Sequence, residues 1–264
     1  MLLTLGSCPL AAQAGRDLGL EPSRAAGLGS GELILAWSSF GAGLAGAQVF
    51  ESMLVPSRPR WRGGWGPDDA LRDALRWGSI TTAERVSSGW TLSVVLGGLF
   101  MAPLGSEHPY GHQAALVAEA AGFTALATGL IKAAVGRQRP YARFATRASR
   151  GRNDNASFPS GDTSWSFAVA VSNASLLGRE HPEQAPLIWA SSLSAAGIAG
   201  YLRLAADRHY LSDVMAGAAL GSAFGLLVPL LHYDTYFGSS DRRRKARILV
   251  LPAAAPQLRV TGRF

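Results

Sequence analysis

Apolar and polar positions alternate in long blocks along this chain. Six apolar stretches stand out, at Leu33–Phe50, Gly89–Leu104, Gln113–Ile131, Thr163–Leu177, Leu187–Ala206 and Val214–Leu231. Most approach the ~20 residues an α-helix needs to cross a bilayer. Polar residues enter several of them, such as Glu119 in the third and Ser191, Ser192 and Ser194 in the fifth. The pattern predicts an all-α, multi-helix bundle with about six long helices. Two settings fit it, a membrane-embedded bundle with a polar interior and a soluble helical core. The length of the stretches favours the membrane, and a mean hydropathy of only +0.13 favours a soluble or partly immersed bundle.

The segments between the stretches are less regular. Residues 51–87 form a loop that is rich in Pro, Gly and Trp at its start (PSRPRWRGGWGP). Asp68 and Asp69 then precede a predicted amphipathic helix, ALRDALRWG, with acidic residues at the end where the helix dipole prefers them. The tail RILVLPAAAPQLRVTGRF carries short strand-like runs around two prolines. The start, MLLTLGSCPLAAQAG, has a short apolar core. It ends in Ala12-Gln13-Ala14, which fits a signal-peptide cleavage site, but it lacks a basic beginning. A ragged start from a misplaced initiation codon is the other reading. The chain thus divides into an N-terminal segment 1–31, a helical domain 32–232 and a basic tail 233–264.

Composition narrows the function classes. The 264 residues suit one domain with a sizeable core. Only 16% are charged, below the roughly 25% usual for soluble domains. The net charge of +7 implies an anionic partner: nucleic acid, anionic lipid or an anionic small substrate. Nucleic acid is the weakest of these, because the arginines are scattered and no stretch interleaves them with aromatics. The single cysteine, Cys8, excludes an internal disulfide framework and a cysteine-rich zinc site.

Charge also orients the helices. Arg242, Arg243, Arg244, Lys245 and Arg247 follow the last stretch and read as a cytoplasmic flank. Counting back through alternating spans puts residues 207–212 outside, 178–186 inside and 132–162 outside. The count also puts residues 51–87 outside, where Arg58, Arg60, Arg62, Arg72, Arg76 and Arg85 run against the rule.

Three polar clusters are set into this apolar background: Lys132 to Pro140 (KAAVGRQRP), Ser157 to Asp162 (SFPSGD) and Arg203 to Asp213 (RLAADRHYLSD). The topology count brings all three to one end of the bundle. Lys132 is one of only two lysines in a chain that otherwise uses arginine. Snorkelling at a membrane edge would account for it singly, and Pro140 is expected to end any helix there. Pro159-Ser160-Gly161 is a turn just before an apolar helix. It is an ordinary helix start, or an anion site in which backbone N–H groups, the Ser160 hydroxyl and the bare Gly161 backbone meet a ligand. His209 and Asp213 are four apart. That spacing predicts a shared helical face, with the carboxylate holding one imidazole nitrogen and freeing the other as a nucleophile. Alone, the pair would read as a solvated helix start capped by Ser212 or Asp213. Arg203 offers a planar fork to phosphate oxygens.

Taken together, the clusters resemble the type 2 phosphatidic acid phosphatase family, which shares its fold with vanadium-dependent haloperoxidases and bacterial class A acid phosphatases. The family pattern is Lys, six residues, Arg-Pro; then Pro-Ser-Gly-His; then Arg, five residues, His, three residues, Asp. Lys132 and Arg139-Pro140, then Pro159, Ser160 and Gly161, then Arg203, His209 and Asp213 stand at those positions. The motif region covers 132–213, and the six-stretch layout extends the likeness over most of the chain. The resemblance implies a metal-independent, cofactor-free phosphatase acting on lipid phosphates or polyprenyl diphosphates. His209 would form a phosphohistidine, Asp213 would orient it, and Lys132, Arg139, Ser160, Gly161 and Arg203 would hold the phosphate. It also implies a bacterial inner membrane as the setting, with the site facing the periplasm or the outside.

The chain departs from the family in two places. Leu202 stands where the family usually has Ser, and Asp162 replaces the His implied to protonate the leaving oxygen. Asp162 can take that role only as a protonated carboxyl. Otherwise the substrate has a leaving group that needs little help, such as a diphosphate, or the chain is catalytically impaired, or Asp162 merely caps the helix that starts near Thr163. The rival readings are a non-catalytic phospholipid-binding membrane protein that retains the cradle, a broad-specificity acid phosphatase, and a vanadate-dependent haloperoxidase. The last lacks both the His and the extra length of those enzymes.

Overall fold

The computed structural model describes residues 28–108 and 110–232. The expected cleavage site and the strand-like runs of the tail lie outside the described residues. Eight helices follow one another: α1 (Ser30–Val49), α2 (Asp68–Leu75), α3 (Ile80–Leu96), α4 (Tyr110–Val135), the single turn α5 (Pro140–Arg143), α6 (Gly161–Glu180), α7 (Ala185–Ala205) and α8 (Leu211–Leu231). Wide turns extend α1 through Phe50–Leu54 and α3 through Gly97–Met101. Among the described residues no strand is formed; Trp61 and Arg137 make one isolated bridge.

Each apolar stretch becomes a helix, and α2 lies where the amphipathic pattern placed it. The second stretch begins earlier than its apolar composition suggests. Its helix starts at Ile80 instead of Gly89, because Ser79 caps it by accepting a hydrogen bond from the Thr82 N–H. The polar turn Thr81–Arg85 is helical; Ala83 is buried and Glu84 pairs with Arg147, Arg150 and Arg208, while Thr81, Thr82 and Arg85 are exposed.

Pro140 does not end a helix. Helix α4 stops at Val135, where Gly136 takes a positive φ of 59° and its N–H bonds the Lys132 carbonyl. That is the left-handed helix ending for which glycine has no Cβ penalty. Pro140 instead opens α5, at the position where a missing N–H costs nothing.

Helix α6 is the centre of the bundle. It packs on α8, α7 and α4, while α1 lies along α4 and α3 along α7. Two glycine seams set the closest approaches. A Cβ on Gly43 of α1 would fall 2.1 Å from the Gly122 carbonyl oxygen of α4. On α8, Gly217, Gly221 and Gly225 face α6, and a Cβ on Gly221 would fall 2.1 Å from the Ser164 oxygen. Small residues of this kind let helix backbones touch where apolar surroundings give no hydrophobic drive. The second seam has a functional consequence: it brings the start of α8 against the start of α6.

Five helical segments are long and apolar enough to cross a membrane: Ser30–Leu54, Ile80–Gly105, Gly111–Val135, Ala185–Ala205 and Leu211–Leu231. Outward-facing Ile34, Leu35, Met53, Leu92, Leu187, Met215 and Leu231 are more than half exposed. A surface of that kind is matched to hydrocarbon. The less apolar α6, with Ser164, Ser166, Ser172, Asn173 and Ser175 buried along it, is enclosed by the others. The chain is a membrane protein of the polar-cored kind.

Candidate active site

The three clusters meet at one end of the bundle. Lys132 sits in the last turn of α4, Arg139 just before α5, Ser160 and Gly161 at the start of α6, and Arg203 in the last turn of α7. His209 lies in the short connection to α8. Lys132, Arg139, Ser160, Arg203, His209 and Asp213 are all buried.

His209 is defined by its two neighbours. Its Nδ1 is 2.7 Å from the Ser157 carbonyl oxygen, and its Nε2 is 2.9 Å from Arg139 Nη1. A carbonyl can only accept and a guanidinium can only donate. The proton therefore sits on Nδ1, and Nε2 keeps its lone pair toward the cations. Burial, followed by Arg139, Arg203 and Lys132, holds the imidazole well below its usual pKa, so His209 is neutral.

This differs from the expected His–carboxylate pair. His209 precedes α8, whose N-cap is Tyr210, and Asp213 is the third residue of the helix. They do not share a helical face. The Asp213 carboxylate lies 3.6 Å from Nδ1, too far for a hydrogen bond. It is taken up instead by Arg137 Nη1 at 2.5 Å, the Ser157 hydroxyl at 2.6 Å and the Tyr210 N–H at 2.9 Å. Asp213 thus caps α8 and grips Ser157, whose carbonyl fixes the tautomer. The main chain of residue 157 does what the spacing had assigned to the carboxylate.

The anion cradle is lined as follows. A Cβ on Gly161 would lie 3.2 Å from Lys132 Nζ, so a larger residue there would push the lysine tip back by a few tenths of an ångström. The Ser160 hydroxyl is within 2.8 Å of the Thr163 hydroxyl and can turn toward a ligand. Arg203 donates from Nη1 to Ser87 at 3.1 Å, while its buried Nε has no hydrogen-bond partner. Burial in the first place, with Arg203 among its neighbours, lowers the Arg139 pKa. Groups of this kind gain most from an arriving anion.

Two carboxylates already stand in the cradle. Asp162 pairs with Arg203 at 2.8 Å. Burial would raise its carboxyl pKa, but Arg203, Lys132 and Arg139 together hold it below the usual carboxylate range. Asp162 is therefore ionised in the empty site and carries no proton to give. Glu51, from the wide turn that ends α1, accepts from Lys132 Nζ at 2.6 Å. Glu51 is not legible in the sequence, because nothing local marks an acidic residue at the end of an apolar stretch as a partner for a lysine 81 positions away.

Arg137 was also missed, although it is fully buried two residues before Arg139. It is sandwiched between the rings of Trp61 and Tyr210, at 4.0 and 4.3 Å, and binds Asp68 at 2.9 Å and Asp213. Arg208 was passed over beside its neighbour His209. Burial, then Arg139 and Arg203, pushes its pKa down to about 9, which still leaves it cationic at neutral pH. The arginines of the 51–87 loop that ran against the topology count are partly used inside the fold. Arg72 binds Asp207, and Arg60 caps the Ala133 and Ala134 carbonyls at the end of α4.

Among the described residues no three His, Cys, Asp or Glu side chains are grouped closely enough to hold a metal ion. Residues 113–237, which contain all eight residues singled out in the sequence, match the PAP2 superfamily model. A lipid A 1-phosphatase of Rhizobium johnstonii (strain DSM 114642 / LMG 32736 / 3841) is 32% identical over 114 residues, 41% of this chain. The matched stretch spans 43% of that relative's length. The solved structure of a transmembrane PAP2-type phosphatidylglycerolphosphate phosphatase from Bacillus subtilis aligns with 76% of this chain and 94% of its own. Its identity is 17% and its TM-score 0.45.

Proposed function

We propose, from the membership of residues 113–237 in the PAP2 superfamily and from the chemistry of the buried cation cluster, that the chain is a phosphatase of lipid phosphates or polyprenyl diphosphates. The observation that carries the reading is His209: neutral, its proton held on Nδ1 by a carbonyl, its bare Nε2 facing a cradle of Lys132, Arg139 and Arg203.

In the first step Nε2 attacks phosphorus and the bond to the leaving oxygen breaks. Lys132, Arg139, Arg203, the Ser160 hydroxyl and the N–H groups at the start of α6 take up the charge on the non-bridging oxygens. The phosphorylated imidazole is positive. Asp213 at 3.6 Å and the Ser157 carbonyl offset that charge. In the second step water attacks the phosphohistidine and phosphate leaves. The ionised Asp162 suits this step, as the group that takes the proton from water.

A substrate phosphate must displace Glu51 from Lys132 and Asp162 from Arg203. The same two ion pairs favour the second reading, a phospholipid-binding protein without turnover. Phosphate release from phosphatidic acid, undecaprenyl diphosphate and a soluble aryl phosphate separates the two. We expect turnover on at least one lipid and an acid-labile phosphohistidine on rapid quenching. Both are expected to be absent from His209→Ala. A His209→Ala variant that turns over at the parental rate ends the mechanism. Binding of these lipids with no turnover ends the enzyme reading.

A further inference from the structure

Beside the phosphate cradle, three guanidinium groups share one carboxylate. Glu84, in the first turns of α3, receives Arg208 Nη1 at 3.2 Å, Arg150 Nη1 at 3.3 Å and Arg147 Nη1 in a short contact. Arg208 and Arg147 are buried or nearly so, while Arg150 is 45% exposed and forms the rim. The cluster adjoins the nucleophile on two counts. Arg208 directly precedes His209, and its carbonyl accepts from Arg139 Nη1 at 3.2 Å. One turn along the same face of α3, Ser87 holds Arg203 of the cradle. The buried Nε of Arg208 has no hydrogen-bond partner, as is true of Arg203. Glu84 is the one carboxylate that pairs with all three guanidinium groups, and Asp154 lies close by, accepting the Arg150 N–H at 3.0 Å, so positive charge is in excess next to the first cluster.

The leaving group points the same way. No carboxyl or imidazolium proton stands ready at the site: Asp162 is paired with Arg203, the Lys132 ammonium is held by Glu51, and the unprotonated His209 Nε2 accepts from Arg139. An alkoxide expelled there would depart without a proton. A phosphate expelled from an anhydride needs none, because it is already a stable anion that guanidinium groups bind bidentately.

We propose that Arg208, Arg147 and Arg150 form a second anion subsite that holds the inner phosphate of a diphosphate ester while His209 attacks the outer one. This rests on the phosphatase reading and narrows its substrate class to phosphoanhydrides. His209 Nε2 bonds to the terminal phosphorus, and the bond from that phosphorus to the bridging oxygen breaks. The electron pair stays on that oxygen, so the alcohol leaves as its monophosphate in the arginine cluster. Water then attacks the phosphohistidine, the P–N bond breaks and its electron pair returns to Nε2. The water's proton passes to Asp162 and on to solvent, and inorganic phosphate is released. Glu84 keeps the three arginines in place when no ligand is bound and yields to the inner phosphate.

The test uses the purified full chain in detergent with farnesyl diphosphate and farnesyl monophosphate, which share one alcohol. The expected kcat/KM is higher for the diphosphate by about tenfold or more, the worth of a hydrogen bond to a charged group. Arg208→Gln and the rim variant Arg150→Gln should each pull that ratio toward one, and Glu84→Gln should raise it. In parallel, inorganic pyrophosphate and orthophosphate are titrated calorimetrically. Pyrophosphate should bind the parent protein more tightly by a similar factor, and Arg150→Gln should erase the difference. Equal or reversed preference for the two farnesyl substrates, or equal binding of the two inorganic anions, overturns the subsite. Absence of phosphate release from every substrate sinks the phosphatase reading instead, and the inorganic titration still decides the subsite. Arg150 is exposed enough for its variant to fold if Arg208→Gln does not.

Discussion

Protonation decides the chemistry at the level of single residues, and two residues have states that can be tested. His209 is neutral because burial and four cations hold its pKa well below the ordinary value. In the proposed mechanism, a nucleophile that is already deprotonated keeps working as pH falls through the ~6.5 of a free imidazole. The acid limb of kcat/KM should therefore lie below that value once the titration of the substrate is subtracted. On the alkaline side, activity should fall as Arg208 loses its charge near pH 9, the region to which its pKa is pushed. An acid limb at or above that of free imidazole would remove the buried neutral His209 from the mechanism. Asp162 is kept ionised by Arg203, Lys132 and Arg139, as the proposed second step requires of a proton acceptor. Asp162→Asn should then slow hydrolysis of the phosphohistidine by tenfold or more, in the range of positioned acid–base catalysis at ~10²–10⁴-fold. The intermediate should accumulate in a quenched-flow experiment. A silent Asp162→Asn would mean that the residue only starts the helix, since Asn caps about as well. The motif pointed to His209 and Asp213, but the hydrogen bond expected between them is not formed. The controlling partner is a backbone carbonyl, Ser157, and a carbonyl leaves no mark on residue identity.

Among the elements, the approach of α8 to α6 does most to build the site. Gly217, Gly221 and Gly225 recur every fourth residue along α8, and each would drive a Cβ into α6. Because the two backbones touch, the Asp213 carbonyl accepts the Ser160 N–H at 3.0 Å, and the starts of the two helices lock together. Gly221→Ala should destabilise the protein by roughly 1–3 kcal/mol, the usual cost of overpacking, and should lower activity by spreading His209 away from the cradle. Gly197→Ala is the control. A Cβ there meets nothing within 4 Å, so the change should be neutral or stabilising by up to ~1 kcal/mol through helix propensity. Thermal unfolding in detergent reads both, and equal melting temperatures for the two variants would refute the seam. The helices themselves were legible, because apolar runs of this length leave few other structures. Their ends were less so. The start of α3 at Ile80 and the restart at Pro140 depend on a serine cap and a glycine turn, and a scan for apolar residues does not weigh these.

For the whole molecule, the apolar exterior and the single polar end make a claim about setting. The protein should sediment with membranes and stay there in high salt, since its outer helices expose Ile34, Leu35, Leu187 and Leu231. Release into the soluble fraction without detergent would contradict this. The orientation is open to labelling in a Cys8→Ser background. Arg58→Cys lies exposed at the site end and Glu183→Cys at the opposite end. A membrane-impermeant maleimide added to intact cells should modify the first and spare the second if the site faces outward. The reverse pattern would overturn that orientation.

The helical class, the six long segments and the three clusters are legible along the chain. Apolar blocks of bilayer length must fold as helices to satisfy their backbones, and motif spacing survives in one dimension. The meeting of the clusters at one end was also foreshadowed, because alternation of spans is a counting argument. Which groups balance the charges emerges only from the packing of the helices. The pairs Glu51 with Lys132, Asp162 with Arg203, Asp68 with Arg137 and Glu84 with Arg147, Arg150 and Arg208 join segments far apart in the chain. Ion pairing falls off within a few ångströms in space and is indifferent to distance along the sequence. The clusters could therefore be listed from the chain, but their protonation and their partners could be known only once the helices were packed.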